Sequence, residues 1–74
     1  MADIKFEIVE QFGSISAPGD KWAKELNLIR WNNADAKYDL RTWSPTHEKM
    51  GKGITLSKAE LLALRDLLNA LDLK

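Results

Sequence analysis

The sequence predicts an α+β domain in which four antiparallel strands form a sheet and one C-terminal helix covers a face of it. Three observations lead to this class. Apolar and polar residues alternate over much of residues 1–56, which is the period of half-buried strands. Turn-forming residues divide this stretch into four segments, and at Ser57 the spacing of apolar residues becomes helical. With 74 residues, the chain has room for one domain.

The first predicted strand covers residues 4–12, where apolar side chains alternate with charged or amide ones. We expect its acidic residues to face water. A turn follows within residues 16–20, because Pro18-Gly19 is a strong turn signal.

The second predicted strand covers about residues 22–31, and its alternation is broken. Leu26 and Leu28 share one parity, whereas Ile29 and Trp31 share the other. Either a bulge or burial on both faces produces such a pattern. The faces of this strand therefore stay unassigned from the sequence.

The third predicted strand, residues 37–43, follows a turn at residues 32–36 that is rich in Asn and Asp. Its parity separates two sets of side chains. One set resembles a core: Tyr38, Leu40 and Thr42. The other carries two cations and an indole: Lys37, Asp39, Arg41 and Trp43.

Residues 44–53 predict a loop that has a proline near its start and two glycines at its end, and a short strand at residues 54–56 closes the sheet. Lys49 and Lys52 lie in this loop. They suit a mobile clamp on a nucleic-acid backbone, and a solvated hairpin loop accounts for them equally well.

The helical pattern begins at a capping box, in which Ser57 and Glu60 exchange hydrogen bonds with each other's backbone. Five leucines then lie within an arc of about 120°: Leu61, Leu64, Leu67, Leu68 and Leu71. One face of a sheet does not need so many, and a chain of this size is marginally stable alone. We therefore expect a homodimer whose interface includes Leu61, Leu64, Leu68 and Leu71.

The composition argues against several kinds of site. The chain has no cysteine and one histidine, so it cannot form disulfides and lacks the ligands of a structural zinc site. The neighbours His47 and Glu48 are poor candidates for catalysis, because nothing places a nucleophile beside them. We expect no enzyme, no metal, no cofactor and no small-molecule substrate.

The start of the sequence lacks the pattern of a secretory signal, and no stretch approaches 18 apolar residues. We therefore expect a soluble, cytoplasmic protein that does not bind membranes; association with the nucleoid stays open.

The charges are segregated along the chain, although 11 basic and 11 acidic residues cancel. Residues 1–20 carry a net charge of −3 and residues 21–56 carry +3. In the basic region, cations interleave with tryptophans: Lys21-Trp22-Ala23-Lys24, Arg30-Trp31 and Lys37-x-x-x-Arg41-x-Trp43. Cations neutralise phosphates and flat rings stack on unpaired bases, which predicts single-stranded nucleic-acid binding. Trp22 and Trp31 fit a role in the core equally well.

The segment KYDLRTWSPTHEKMGKGITLSKAELLALRDLL, residues 37–68, resembles the single-stranded DNA-binding domain of the eukaryotic transcriptional coactivator called positive cofactor four. In both, a strand with Asp-x-Arg and a following aromatic residue leads through a lysine-bearing loop to Lys-Gly-Ile-Ser/Thr-Leu and a helix. The whole chain, residues 1–74, is similar to the small bacterial YdbC type of that superfamily. The shared pieces are KFEI, KELN, WN and RTWSP…HEKMGKGITLS.

The resemblance implies a homodimer of curved sheets, with single-stranded DNA crossing their concave surfaces in transcription regulation, replication or repair. It assigns DNA contacts to Arg41 as the sheet arginine, Trp43 as the stacking aromatic and Lys52 as the loop lysine. Looser matches or position in the basic region add five more residues: Lys24, Arg30, Trp31, Lys37 and Lys49.

Two alternatives stay open at this point. Backbone charge and stacking serve RNA as well as DNA, so a single-stranded RNA binder or chaperone fits the same residues. A structural, protein-interaction dimer whose tryptophans form the core also fits.

Overall fold

The computed structural model describes residues 5–17 and 19–73. It contains the strands β1 (Phe6–Ser14), β2 (Ala23–Trp31), β3 (Lys37–Trp43) and β4 (Met50–Leu56), followed by the helix α1 (Lys58–Ala70). The strands lie in chain order in one open, curved antiparallel sheet. This confirms the predicted order of elements and the α+β class. Ile4, the predicted start of strand one, and Pro18 of the predicted turn lie outside the described residues.

The fourth strand is longer than the sequence predicts, because β4 begins at Met50 rather than at residue 54. Its glycines belong to the strand and not to the preceding loop. A Cβ at Gly53 would overlap the Cβ of Arg41 and the carbonyl oxygen of Leu40, so the close approach of β4 to β3 requires glycine there. The pairing is irregular between Arg41 and Trp43, which leaves Lys52 at a bulge.

The broken alternation in β2 comes from burial on both faces and not from a bulge in that strand. Its pairing with β3 is continuous from Ala23 to Ile29. The register shifts lie instead in β1, after Ile8 and after Gln11. A sequence pattern on one strand therefore does not reveal the bulges of its neighbour.

The sheet has two faces that differ in kind, and we name each by its side chains. The indole face carries Phe6, Ile8, Glu25, Asn27, Ile29, Trp31, Lys37, Asp39, Arg41, Trp43 and Thr55. The leucine face carries Glu7, Phe12, Lys24, Leu26, Leu28, Arg30, Tyr38, Leu40, Thr42 and Leu56.

The helix begins at the predicted capping box. The Ser57 hydroxyl accepts from the backbone N–H of Glu60 at 3.1 Å, and the Glu60 carboxylate accepts from the backbone N–H of Ser57 at 2.9 Å. The Ser57 backbone N–H that donates to the Glu60 carboxylate, and after it the Ser57 hydroxyl close to the same carboxylate, hold the pKa of Glu60 below its usual range. No helix within residues 5–17 and 19–73 is long and apolar enough to cross a membrane.

The helix lies over the leucine face but does not close it. A cleft of about 470 Å³ remains between α1 and the strands, and no residue of α1 is buried. The predicted apolar arc is shifted slightly, because Leu62 lines this cleft whereas Leu67 does not and is 59% exposed. Leu61, Leu64 and Leu68 line it as the arc predicts.

Candidate nucleic-acid interface

The centre of the indole face is a packed aromatic cluster around Trp43. The ring centroid of Trp43 lies 5.3 Å from that of Phe6 and 5.6 Å from that of His47, and Trp43 is 0% exposed. The parity prediction placed Trp43 on the correct face. The prediction that its ring is open for stacking is not met in the single chain, because Phe6 and the His47 loop cover it.

Trp31 and Arg41 form a second cluster beside the first one. Trp31 is half-buried, and its ring lies 5.9 Å from that of Phe6. The guanidinium carbon of Arg41 lies 4.9 Å from the centroid of the Trp31 ring, which is a cation–π contact. The structure therefore brings together one predicted cation and one predicted aromatic residue that are ten positions apart in the sequence.

A polar row crosses the indole face from β2 to β4. The Asp39 carboxylate is fully buried; it accepts from Arg41 Nε at 2.7 Å and from Thr55 Oγ1 at 3.2 Å. Opposite it, the buried Asn27 donates through Nδ2 to Glu25 at 3.3 Å. Sequence parity identified the position of Asp39, but only the register between strands identifies Asn27 and Thr55 as its neighbours.

The loop between β3 and β4 is docked on the same face by His47. This residue has a left-handed backbone (φ 62°), and its Nε2 lies 2.9 and 3.0 Å from the two carboxylate oxygens of Glu25. Because a carboxylate only accepts, Nε2 is the donor. The sequence indicated a solvated loop residue. His47 does lie in the loop, but its side chain is only partly exposed, because it packs against Trp43 and donates to Glu25. Nothing in the sequence showed that these two residues lie within its reach.

The predicted cations are divided between the two faces. Lys37 is exposed on the indole face, beside the buried Ile29. Arg30 lies on the leucine face, where it forms an exposed ion pair with Glu7 at 3.0 Å. Lys24 also lies on the leucine face, opposite Thr42.

Lys49 and Lys52 flank the indole face and are exposed, the first in the His47 loop and the second at the β4 bulge. The two acids of the indole face are engaged, since Glu25 accepts from His47 and Asp39 from Arg41. Lys37 therefore carries the exposed charge on the face itself, and Lys49, Lys52 and the acid Glu48 are exposed beside it. No group of three His, Cys, Asp or Glu side chains in the described ranges could hold a metal ion.

Comparison with known proteins identifies the family of the chain. The family model of the Transcriptional Coactivator p15 (PC4) matches residues 19–67, which span β2 to β4 and most of α1. An uncharacterized protein of Treponema pallidum (strain Nichols) is 49% identical over 71 residues, which is 96% of this chain and 84% of that protein. The chain therefore belongs to the PC4 family, as the sequence resemblance indicated.

Proposed function

We propose that the chain binds single-stranded DNA through the indole face, without strong sequence preference and without catalysis. The observation that carries the proposal is the Arg41–Trp31 contact, which holds a cation on an aromatic ring at the surface of the sheet. Lys37 on the same face and Lys52 beside it extend the positive charge. The family, one of nucleic-acid-binding proteins, supports the same assignment.

Single strands suit this face better than duplexes do. Unpaired bases can stack on a half-buried ring such as Trp31, whereas the bases of a duplex are already stacked. Contacts that Lys and Arg make with phosphates carry no sequence information. Trp43 supports Trp31 through Phe6 in this proposal and does not itself receive a base.

The proposal includes a second copy of the chain on the leucine face. The chain exposes 5950 Å², whereas a compact protein of 8.4 kDa exposes about 4,600 Å². Its radius of gyration is 13.6 Å, against about 11 Å for a compact chain of this length. The excess area is larger than the roughly 800 Å² that each partner buries in a standard interface. The open cleft and the exposed Leu68 and Leu71 are where the second copy would pack.

A titration of intrinsic tryptophan fluorescence with oligo-dT tests the proposal. We expect quenching on binding, because a base would approach Trp31, and a steep loss of affinity between low and high salt. Duplex DNA of equal length is the matched competitor and should compete weakly. If duplex competes as well as oligo-dT, the proposal of single-strand binding is wrong.

A parallel titration with oligo-U separates DNA from RNA. A protein distinguishes RNA from DNA through contacts with the 2′-hydroxyl, and the proposal assigns no residue of the indole face to such a contact. Equal affinity for both polymers would therefore extend the proposal to RNA. Sedimentation of the free protein tests the second copy, and a mass that stays monomeric at all concentrations would contradict it. A role in transcription regulation, replication or repair belongs to the same proposal, because each of these processes exposes single strands.

A further inference from the structure

We infer that Asp39 is a positioning residue, a buried carboxylate that holds Arg41 in the orientation in which it meets a phosphate. The inference rests on the proposed binding of DNA to the indole face and adds to it a residue that would not itself touch the nucleic acid. It also explains why an acid occupies the middle of a face that binds polyanions.

By charge alone, Asp39 is unfavourable at its position. A carboxylate near a phosphate path repels the ligand, and burying a charge is costly unless the charge is paired and hydrogen-bonded. Asp39 is nevertheless 0% exposed, and neither of its cross-strand partners, Asn27 and Thr55, is charged. A buried acid at such a place needs a structural reason.

The contacts of Arg41 supply the reason, because they fix its guanidinium from three directions. Nε donates to Asp39 Oδ1 at 2.7 Å, a short charge-assisted bond. The guanidinium lies over the Trp31 ring at 4.9 Å. Nη1 points to the Met50 sulfur at 3.5 Å.

The remaining nitrogen of Arg41 is the one placed for a ligand. Within the described ranges, Nη2 has no hydrogen-bond partner, and the side chain is 16% exposed. A guanidinium that is already oriented loses less side-chain freedom when it binds a phosphate. Nη2 is therefore placed to donate to a phosphate oxygen, while the contacts of Nε and Nη1 fix the plane of the guanidinium.

Strand β4 holds the carboxylate in turn. Thr55 Oγ1 donates to Asp39 Oδ2 at 3.2 Å, so both oxygens of Asp39 are engaged by donors from different strands. Gly53, opposite Arg41, leaves space for the arginine stem beside β4. The arrangement is thus a relay from Thr55 through Asp39 to Arg41.

The test is the affinity of Asp39→Asn for labelled oligo-dT at several salt concentrations. Simple charge repulsion predicts tighter binding, because a negative charge is removed. A positioning role predicts the opposite sign, a loss of about 2- to 10-fold. It also predicts that the slope of log affinity against log salt becomes shallower by about 0.7, which is the loss of one phosphate contact on a single strand.

Asp66→Asn is the matched control, since Asp66 is exposed on α1, over the leucine face, and its substitution removes the same charge away from the indole face. The double variant Asp39→Asn/Arg41→Ala provides the second control. It should bind as Arg41→Ala does, because Asp39 acts only through Arg41. A merely structural role for Asp39 would weaken binding in both backgrounds and leave the slope unchanged.

Unchanged or tighter binding by a folded Asp39→Asn overturns the inference. If that variant does not fold, Thr55→Val replaces it, since it keeps the Asp39–Arg41 charges and frees one carboxylate oxygen. We expect a loss of the same sign, about 2-fold, and unchanged binding overturns the inference. If Arg41→Ala itself binds normally, the proposed function fails at this site; if only the Asp39 and Thr55 variants bind normally, the positioning role alone fails.

Discussion

The two faces of the sheet are closed to different degrees. On the indole face, Trp43 and Ile29 are completely buried by side chains of the same chain. On the leucine face, a single helix of 13 residues leaves a cleft, and Leu68 is 47% exposed. The face that is more polar in sequence is therefore the packed one. The large aromatic rings cover the indole face within one chain, whereas the leucines of one short helix leave part of the leucine face uncovered. The indole face therefore matters for the folding of the single chain, and the leucine face for the proposed association with a second copy.

The largest expected effect comes from opening the closed face. Trp43→Ala removes a fully buried ring, so we expect a loss of about 3–5 kcal/mol in the free energy of unfolding. Thermal or urea denaturation at fixed protein concentration measures it. Trp22→Ala is the matched control, because Trp22 is 40% exposed, and its loss should be at most about 1 kcal/mol. Equal losses would mean that Trp43 is not the centre of the packed face.

The second effect tests the open face. Leu68→Asp places a charge at the cleft, where a second copy would bury it at a cost of several kcal/mol. If the unmodified chain forms the proposed dimer, we expect Leu68→Asp to sediment as a monomer at the same concentrations. Ala63→Asp adds the same charge at an exposed helix position that does not line the cleft, and it should stay dimeric. A monomeric Ala63→Asp would mean that helix charge, and not the cleft, controls assembly.

The third effect distinguishes the faces by binding. Lys37→Ala, on the indole face, should weaken oligo-dT binding about fivefold at 0.1 M salt, as expected for one lost phosphate contact. Arg30→Ala removes the same charge from the leucine face, where Arg30 is paired with Glu7, and should change affinity less than twofold. Comparable losses would place DNA on both faces or at the sheet edge.

Local patterns in the sequence predicted what lies within one element. The parity of β3 placed Lys37, Arg41 and Trp43 on one face, and Ser57 with Glu60 marked the start of the helix. Contacts between residues of different strands could not be predicted from these patterns. The burial of Trp43 by His47 depends on a left-handed loop residue, and the Asp39–Thr55 bond depends on the register of two strands.

The start of β4 was misplaced for a related reason. Gly51 and Gly53 have a composition typical of loops, but here they allow β4 to approach β3 closely. Whether a glycine ends a strand or permits tight pairing depends on the residue opposite, which for Gly53 is Arg41. A single sequence does not contain that pairing.

The smallest effect concerns how the helix is held over the open face. Ser57→Ala removes the hydroxyl that accepts from Glu60 N–H, and we expect a loss of about 1 kcal/mol at neutral pH. The capping box also predicts a pH dependence. Because the pKa of Glu60 is lowered in the folded chain, its contribution is present above the ordinary value of 4.5 and is lost as the pH falls through the lowered pKa.

Thermal melts of Ser57→Ala and of Glu60→Gln at several pH values, at one protein concentration, measure this dependence. Glutamine keeps an oxygen that can accept from Ser57 N–H but does not titrate, so Glu60→Gln should lose the acid-dependent part and keep most of the stability at neutral pH. If its acid profile matches that of the unmodified chain, the acid sensitivity arises elsewhere.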